Sequence, residues 1–465
     1  MTRPIVPMTC LLLAMGGLYA VFARKAIADP PPLKVMLLVA LVTRAILIPS
    51  FPIQESDLYR YLWDGRVVAA GMDPYRFSPE EIDRFEQGGA AASADDITVL
   101  SSLVVLKRKT PALGEIFSLI NNRAFPTVYP ALAQALFFFH AWLVPAEWPA
   151  QAQVIAIKCF LVLLDMSTMA LLMLLLRCTG KPASLALLYG WCPLVLKEIA
   201  NSGHMDSLPT FFLVAALLAQ ASQRALWCGL GVGAAIASKL YAVFLFPVVL
   251  KALGWKRGLM ALVSCLAIVA LALLAFPEGA ARRRETLVQF ALGWENHDAL
   301  FNWTKKAWSG MAGPAGNAPH LLALGTVLLA LGGVLLIRLT RRATTRPPPQ
   351  ETCRSVFFLL AALFLLGPLG FPWYFLPCVA LLPFVETRCW LLLPGLLMTY
   401  YLRFWFEYHF PKGTGFCGFP SGEAFFDEVV VSLEFALFYL LWIVEVCWAR
   451  FRRRRKAAND DRNDD

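Results

Sequence analysis

Acidic, basic and aromatic side chains are concentrated between residues 54 and 75, directly after an apolar run. Glu55 and Asp57 stand two positions apart there, and a carboxylate of this kind can take a proton from a reacting hydroxyl group. Arg60 and Asp64 fall on the same side as Asp57 if this stretch is helical. Asp57 and Asp64 could instead be solvated acids that pair with neighbouring arginines on the face of a surface helix.

A second group of residues carries positive charge and could hold an anion near the outer face of a membrane. Lys239 is the clearest case, because an ammonium group inside an apolar run is costly and usually functional. His204, with Asp206 two positions away, could equally be a satisfied polar residue. A run of three arginines opposes the positive-inside rule and suggests an anionic partner, although a solvated interfacial run is equally ordinary. The candidate cations are Lys239, His204, Arg282, Arg283, Arg284, Lys305 and Arg403.

The composition identifies the class of protein that must position these residues. The chain is 58% hydrophobic and 16% charged, with a mean hydropathy of +0.60, which excludes an ordinary soluble domain. Its 42 Lys and Arg residues exceed its 32 Asp and Glu residues, but many basic residues lie in short loops between apolar runs and in segment 450–456. This positive-inside pattern predicts a multi-pass membrane protein, and we expect no nucleic-acid partner.

The cysteines predict neither a metal site nor a disulfide framework. The 11 cysteines are scattered, mostly within apolar runs, and no Cys-x-x-Cys pair occurs. We interpret them as small buried hydrophobic residues.

Basic residues in short loops predict the direction of the first spans. The run from Pro4 to Ala23 is interpreted as a retained helix rather than a cleaved signal peptide, because its basic residues follow it. Leu33 to Pro49 then crosses outward, and residues 50–128 form a large extracytoplasmic loop. An amphipathic helix capped by Ser56 is expected in this loop, lying in the headgroup layer.

Three later segments are less regular. Tyr129 to Val144 is expected to run inward. The run from Gln151 to Leu176 has the length of one tilted helix, but the basic loops require two crossings, so we expect a hairpin of two short helices broken near Asp165. Leu226 to Leu250 is expected to be a broken or re-entrant pair that presents Lys239 toward the outer half.

The fold class expected is an all-α polytopic membrane protein. Residues 1–449 should form one domain of about 12–14 transmembrane helices, with short interfacial helices on its extracytoplasmic loops. Residues 450–465 should form a charged, disordered cytoplasmic tail. No soluble domain, internal repeat or long linker is evident in the sequence.

Several motifs together resemble one known enzyme family. The stretches Ser56 to Tyr75 and Pro126 to Gln134 are similar to the GT-C glycosyltransferases of family 87, bacterial integral-membrane enzymes that use polyprenyl-phosphate-linked sugars. A weaker similarity, carried by Glu55-x-Asp57 and Pro74-Tyr75, reaches the eukaryotic enzyme that adds the first mannose of a GPI anchor. The resemblance continues at Ile120-Asn121-Asn122, Gly203-His204-Met205-Asp206, Lys239-Leu240-Tyr241, Trp294-Glu295-Asn296 and Phe371-Pro372-Trp373-Tyr374.

The chain departs from the family pattern in two places. Ala131 stands where a second proline usually follows Tyr129-Pro130, and the first-loop pair is Glu-x-Asp where Asp-x-Asp or a single Asp is also found. Neither departure removes a candidate base, but both leave the acceptor type open.

The resemblance implies a GT-C-type bundle and an inverting hexosyltransferase, foremost a mannosyltransferase. Its site would lie on the extracytoplasmic side of the inner (plasma) membrane. Sugar would pass from a polyprenyl-phosphate donor to a lipid or glycan acceptor. Asp57 would take the proton of the acceptor hydroxyl, while Glu55 orients the acceptor or raises the proton affinity of Asp57. The use of a lipid-phosphate donor implies no metal and no cofactor.

The other site residues are expected to divide between the two substrates. The donor phosphate and sugar are expected to contact Lys239, His204, Asp206, Arg282, Arg283, Arg284, Arg403, Tyr129, Trp373 and Tyr374. The acceptor and the first loop are expected to involve Arg60, Tyr61, Asp64, Tyr75, Trp294 and Asn296. The aromatic members of both groups could instead be anchors at the membrane interface.

Two other classes of protein remain open at this stage. A transporter or lipid flippase without transferase activity would favour internal repeats and charges along a path at mid-depth. A structural membrane subunit would leave the acid-aromatic stretch without a role. The sequence does not identify the sugar, the linkage, the length of the polyprenol or the oligomeric state.

Overall fold

A computed structural model of the chain describes residues 4–312, 316–340 and 346–463. It is 77% helical, and no strand occurs in these ranges. Only two isolated β-bridges occur there, Asn296 with Leu369 and Phe416 with Phe419. The predicted all-α class is confirmed.

The helices fall into an early set around the first loop and a later set that completes the bundle. The early helices are α1 Ile5–Ala28, α2 Leu33–Leu47, α3 Asp57–Ala69, α4 Pro79–Glu86, α5 Ala94–Arg108, α6 Pro111–Ser118, α7 Ala131–Leu143 and α8 Ala150–Cys178. The later helices are α9 Leu187–Gly190, α10 Pro193–Val195, α11 Ser207–Ala221, α12 Ala225–Ser238, α13 Phe246–Leu253, α14 Trp255–Leu274, α15 Ala280–Gly293, α16 Ala299–Ala312, α17 Ala318–Thr340, α18 Pro349–Leu366, α19 Leu376–Leu381, α20 Leu393–Leu396, α21 Leu402–His409, α22 Gly422–Phe425 and α23 Val431–Asn463.

Six helices in the described ranges are long and apolar enough to cross a membrane, so the chain is a multi-pass membrane protein. They are Ile5–Ala28, Ala150–Cys178, Trp255–Leu274, Ala318–Thr340, Pro349–Leu366 and Gly422–Arg452. A seventh is possible if Ala183–Gly190 and Pro193–Asn201, which meet at 55°, form one broken span. The predicted number was higher because it counted shorter apolar segments as spans. These segments are Ala131–Leu143, Ser207–Ala221, Ala225–Ser238, Leu240–Leu253 and Pro372–Phe384.

Helix α8 corrects the predicted hairpin of two short helices. It is one continuous helix of 29 residues, about 44 Å long at 1.5 Å per residue. Asp165, where a break was expected, is buried in the middle of α8 and pairs with the buried guanidinium of Arg44. A paired charge can stay inside a helix bundle, so it was wrong to read Asp165 as a helix break.

Hydrogen bonds to α3 fix the direction of helix α7 relative to α3. Gln134, near the start of α7, donates a 3.1 Å hydrogen bond to Asp64. Arg66, further along α3, donates 2.8 Å bonds to the carbonyls of Ala141 and Val144 at the far end of α7. The two helices therefore lie side by side and run in the same direction.

Helix α3 in turn runs opposite to the first half of α8. Leu58, at the start of α3, and Lys158, in the interior of α8, both pack around Gly203, where a Cβ would lie 3.2 Å from Lys158 and 3.4 Å from Leu58. Arg66 donates a 2.9 Å bond to Gln153 near the start of α8. Helix α7 therefore runs opposite to the first half of α8, and the inward direction of Tyr129 to Val144 stays a prediction.

The predicted break at Lys239 is confirmed. Helix α12 ends at Ser238, and Lys239 adopts an extended conformation with φ −160° and ψ 121°. A 3₁₀ turn, Leu240–Leu245, follows before α13. Because the helix is interrupted here, Lys239 is not part of a regular helix. It lies between the end of α12 and the start of the 3₁₀ turn.

Helix α3 is not the interfacial helix that its pattern predicted. Residues on both of its sides are buried, including Tyr61, Asp64 and Arg66. Gly65 permits this packing, because a Cβ there would lie 2.2 Å from the carbonyl oxygen of Phe137 in α7. The polar side of α3 therefore faces other helices instead of headgroups.

The loops predicted to be cytoplasmic meet at one end of the bundle. Gln350, at the start of α18, donates to the carbonyl of Thr179 at the end of α8. Lys251, near the end of α13, donates to the carbonyl of Leu339 at the end of α17. Lys158 lies on α8 about 30 Å from that end, which equals the thickness of a bilayer core.

The C-terminal segment was expected to be a disordered tail from residue 450. The structure instead continues α23 as a helix through Asn463, and residues 464–465 lie outside the described residues. Arginine, lysine and alanine are good helix formers, which agrees with an extension of the last helix.

Candidate functional site

Asp57 is the first residue of α3 and is half-buried. The side-chain amide of Asn121 donates a 2.6 Å hydrogen bond to its Oδ1. The phenol of Tyr129 donates a 3.0 Å bond to its Oδ2. Ser56 precedes the helix as predicted, but its side chain makes no capping bond. Each oxygen of the Asp57 carboxylate is thus held by a neutral donor, which fixes its orientation.

Arg60 brings the second half of the first loop to Asp57. Its guanidinium donates bonds of 3.2 to 3.4 Å to three carbonyls, those of Asn121, Asn122 and Phe125. The predicted acceptor residue Arg60 therefore organises the loop that carries Asn121. These hydrogen bonds hold the guanidinium against backbone carbonyl oxygens.

Two further residues of the first loop support Tyr129, and a third, Asp64, supports the contact between α3 and α7. The Tyr75 hydroxyl donates a 2.6 Å bond to the Tyr129 carbonyl, and the Tyr61 ring meets the Tyr129 ring edge-on at 4.9 Å. Asp64 lies deeper, where Gln134 donates to it. Burial raises the pKa of Asp64, against the opposing effects of Arg60 and of hydrogen bonds. Asp64 is a structural residue of the α3–α7 contact.

Glu55 lies beside Asp57 as predicted, and the charge of Asp57 acts on it. The Oε1 atom of Glu55 is buried and accepts no hydrogen bond. Burial raises the pKa of Glu55 well above its usual range, and the charges of Asp57 and Glu198 raise it further, while Lys197 and Arg403 oppose the rise. Glu55 is therefore the member of the pair that holds a proton more readily than a free glutamate.

Lys239 supplies a positive charge that interacts with Asp57. The Nζ atom of Lys239 lies 2.5 Å from Oδ1 of Asp206 and 3.5 Å from the centre of the Tyr374 ring. Asp57 is close enough to interact electrostatically with Lys239, Asp206 and Tyr374. The structure thus brings together a carboxylate from the first loop and an ammonium from the break after α12.

His204 adjoins this group. Its Nδ1 lies 2.9 Å from Oε2 of Glu198, and its ring stacks on Trp373 at a centroid distance of 3.9 Å. The other ring nitrogen, Nε2, is buried without a hydrogen-bond partner. Glu198 therefore orients the imidazole and leaves Nε2 available to a ligand.

Sequence analysis gave no role to Lys197 and Glu198, which the structure places in this site. Lys197 contacts the Tyr401 hydroxyl, and that hydroxyl donates a 2.6 Å bond to Oε1 of Glu198. Both charged residues are almost fully buried. Two adjacent charges inside the apolar run 184–200 were the available signal, because ionisable residues at such depth are usually functional.

Lys158 and Asn201 anchor the chain just before Glu55. Lys158 donates bonds of 3.2 Å and 2.8 Å to the carbonyls of Leu47 and Ser50. Asn201 donates to Ser50 Oγ at 2.7 Å and to the Phe51 carbonyl at 2.8 Å. These bonds position the segment that leads to Asp57.

The three arginines of α15 lie apart from the Asp57 carboxylate. Arg282 pairs with Glu81 at 2.6 Å, Arg283 donates to the Leu273 carbonyl at 3.0 Å, and Arg284 is exposed. Of the three, Arg282 borders an open cleft of about 560 Å³ between the first loop and α15. This cleft is lined by Arg76, Phe77, Asp95, Asp96, Glu278, Gly279, Ala281, Arg282 and Glu285.

The remaining candidates lie between the first loop and the later external loops. Arg403 pairs with Glu423 and also interacts electrostatically with Glu55. Trp294 packs against Phe125 at 6.2 Å. Lys305 pairs with Glu295.

Asn296 holds its own segment against the chain before residue 371. Its backbone NH donates a 2.9 Å bond to the Pro368 carbonyl, and its carbonyl accepts a 2.8 Å bond from the Gly370 NH. Phe371 then stacks on Trp373 at 4.7 Å. The segment around Asn296 is thereby joined to the aromatic residues next to His204.

The grouping of side chains also bears on metal binding. Within residues 4–312, 316–340 and 346–463, no three His, Cys, Asp or Glu residues are grouped as a metal site requires.

Comparison with protein-family models, curated proteins and solved structures gives no significant match.

Proposed function

We propose that the chain is a membrane-embedded inverting hexosyltransferase of the GT-C type. It transfers a sugar, foremost mannose, from a polyprenyl phosphate to an acceptor hydroxyl on the extracytoplasmic side. The observation that carries this proposal is the Asp57 carboxylate, whose two oxygens are held by Asn121 and Tyr129, within electrostatic reach of Lys239.

The reaction needs a base and an anion site on opposite sides of one carbon. Asp57 takes the proton of the acceptor hydroxyl while that oxygen forms a bond to the anomeric carbon. The bond from this carbon to the phosphate oxygen breaks, and its electron pair leaves with the polyprenyl phosphate. The ammonium of Lys239 stabilises the charge that grows on the phosphate, and His204, when protonated on both ring nitrogens, donates a hydrogen bond from Nε2 to the same group.

A lipid-linked donor agrees with the surroundings of Lys239. The 3₁₀ turn after it exposes Leu240 and Val243, each 51% exposed, to the outside of the bundle. An exposed apolar surface next to a cation fits a molecule with a phosphate head and a hydrocarbon tail. A water-soluble donor has no hydrocarbon tail to contact this surface.

The transporter alternative predicts charges along a path at mid-depth. Arg44 and Asp165, the charges deepest between α2 and α8, are fully buried and paired with each other. The charged residues Asp57, Lys239 and Arg403 are instead partly exposed, and we assign them to the outer end of the bundle. This distribution favours a site for chemistry at one membrane face.

A transfer assay tests the proposal. Purified protein is incubated with labelled polyprenyl-phosphate hexoses and membrane extract, and wild type is compared with Asp57→Asn and with Glu115→Gln, an exposed acid on α6. Label should move to the acceptor with wild type and Glu115→Gln, and transfer should fall at least about 100-fold in Asp57→Asn. Full transfer by Asp57→Asn, or none from any donor with wild type, would refute the proposal.

A further inference from the structure

The imidazole of His204 is held in one orientation by its surroundings. The residue is fully buried, and its ring stacks on Trp373 at a centroid distance of 3.9 Å. Its Nδ1 lies 2.9 Å from Oε2 of Glu198. Because an ionised carboxylate only accepts hydrogen bonds, Nδ1 carries the proton of the neutral imidazole and Nε2 carries the lone pair. In the described structure Nε2 is buried without a hydrogen-bond partner.

Glu198 is itself fixed by two donors. Its Oε1 accepts a 2.6 Å hydrogen bond from the hydroxyl of Tyr401, and the Nζ atom of Lys197 lies 3.5 Å from its Oε2. Glu198 is fully buried, so the carboxylate needs these donors to remain ionised. The orientation of the imidazole is therefore determined by residues that do not themselves reach a ligand.

The local backbone brings Glu198 and His204 together. Glu198 belongs to a π-helix, Leu196–Asn201, and single turns of this kind are frequent at functional sites. Gly203 then turns the chain with φ 72°. The NH of His204 donates a 2.9 Å bond to the carbonyl of Glu198. The two residues therefore meet through both backbone and side-chain atoms.

The lysines nearest to this imidazole are already matched by acids. Lys197 pairs with Glu198 at 3.5 Å, and Lys239 pairs with Asp206 at 2.5 Å. Asp206 also interacts electrostatically with His204. A donor phosphate that enters here brings one negative charge to two pairs that carry no net charge. Burying this charge is costly unless a further positive charge accompanies it.

Two further basic groups of the site have partners of their own. Arg403 pairs with Glu423, and the ammonium of Lys158 is held by two backbone carbonyls. Glu55 and Asp57 are acids and cannot offset an anion. Protonation of the imidazole, in contrast, places a positive charge and a donor at the atom that has no partner.

We infer that His204 takes up one proton when the donor phosphate binds, so that its Nε2–H donates to a phosphate oxygen. The proton comes from solvent and adds to the lone pair of Nε2, and no other bond changes. Glu198 is the positioning residue for this step, because its carboxylate holds Nδ1 and stabilises the imidazolium. The inference rests on the proposed function, since it assumes a lipid-phosphate donor.

Binding of farnesyl methyl phosphate tests the inference without catalysis. This compound is a phosphodiester and lacks the second ionisation of a phosphate monoester, so a proton taken up on binding belongs to the protein. The full chain in phosphatidylcholine nanodiscs is titrated with it at about pH 6 and about pH 8.5, and empty nanodiscs give the background. Calorimetry in buffers of different ionisation enthalpy counts the protons taken up.

Affinity should rise as the pH falls, because the protonated imidazole binds the anion. Wild type should bind the diester at least about tenfold more tightly at the lower pH, with proton uptake from the buffer. His204→Gln should lose both the pH dependence and the uptake. His409→Gln, the same change at an exposed histidine, should behave like wild type.

Glu198→Gln distinguishes a positioning role from a packing role. It should move the pH dependence of binding to lower pH by about one unit, because the carboxylate that stabilises the imidazolium is lost. A loss of packing alone would weaken binding equally at both pH values, which would contradict the role of Glu198. This variant also tests the inference if His204→Gln misfolds.

Three results would overturn the inference. They are equal affinity of wild type at both pH values, no binding of the diester, and a pH dependence that persists in His204→Gln. Proton-linked binding of the diester without any sugar transfer would refute the proposed function alone. Sugar transfer without proton-linked binding would refute the inference alone.

Discussion

The side-chain amide of Asn121 donates a 2.6 Å hydrogen bond to Oδ1 of Asp57, across 64 positions of the chain. Asn121 reaches this place because Arg60 holds the carbonyls of its own loop. The hydrogen bond from this amide fixes the orientation of the Asp57 carboxylate, and the amide itself carries no charge. Asn121 is therefore a positioning residue for the proposed base.

Replacing Asn121 with alanine should reduce turnover in the transfer assay about ten- to 100-fold, since a hydrogen bond to a charged group contributes about 1.5–3 kcal/mol. The KM for the donor should change little, because Asn121 does not contact the cations. Initial rates at varied donor concentration give both values. The matched control is Asn122→Gly, which alters an exposed neighbour whose φ is 47°. Loss of donor affinity with unchanged turnover would contradict this role.

Lys239 should be required for transfer through its charge. Lys239→Met alone leaves Asp206, only 1% exposed, without its partner, and should destabilise the fold as well. The double variant Lys239→Met/Asp206→Asn removes both charges and should restore much of the thermal stability without restoring transfer. Melting temperature and label transfer are measured on the same preparations. Recovery of transfer in the double variant would exclude a phosphate-binding role for Lys239.

Arg44 and Asp165 should stabilise the bundle as a pair. Arg44→Met or Asp165→Leu alone leaves a buried charge unpaired and should lower the free energy of unfolding by about 3–5 kcal/mol. The double variant should be close to wild type, because it leaves no charge unpaired. Apparent melting temperatures of the four proteins in one detergent form a double-mutant cycle. Additive losses would show that the two residues act independently.

Asp298 should make stability depend on pH. Burial, followed by the charge of Glu295, raises its pKa to about 8, whereas an unfolded aspartate titrates near 4. The folded state then holds a proton that the unfolded state has lost. The stabilisation is complete below about pH 4 and disappears as the pH rises through about 8.

The melting temperature of wild type should therefore fall more between pH 5 and pH 9 than that of Asp298→Asn. Glu115→Gln, which changes an exposed acid, should follow wild type. Parallel melting curves for wild type and Asp298→Asn would show that the folded protein does not retain this proton.

Several features could be predicted from the sequence because they depend on composition and local pattern. Apolar runs and basic loops predicted a multi-pass helical protein, since a bilayer demands long apolar helices and retains cations on one side. The break at Lys239 was visible because a charge interrupts an apolar run. The proximity of Glu55 to Asp57 followed from their spacing.

Other features depended on partners far along the chain. Asp165 looked like a helix break until Arg44 was seen beside it. The hydropathy of Tyr129 to Val144 does not reveal that this segment packs side by side with α3. No role was predicted for Lys197 and Glu198, because their contact with Tyr401 lies about 200 positions away.

The sequence by itself determined that this chain crosses a membrane and concentrates acids and aromatic residues in its first external loop, because these properties are sums over neighbouring residues. Only the tertiary structure decided which charges meet. The charge of Asp57 acts on Lys239, and the charge of Asp427 acts on Asp298, because elements distant in sequence pack together. Electrostatic and hydrogen-bond energies depend on separations of a few ångströms in space, which sequence separation does not specify.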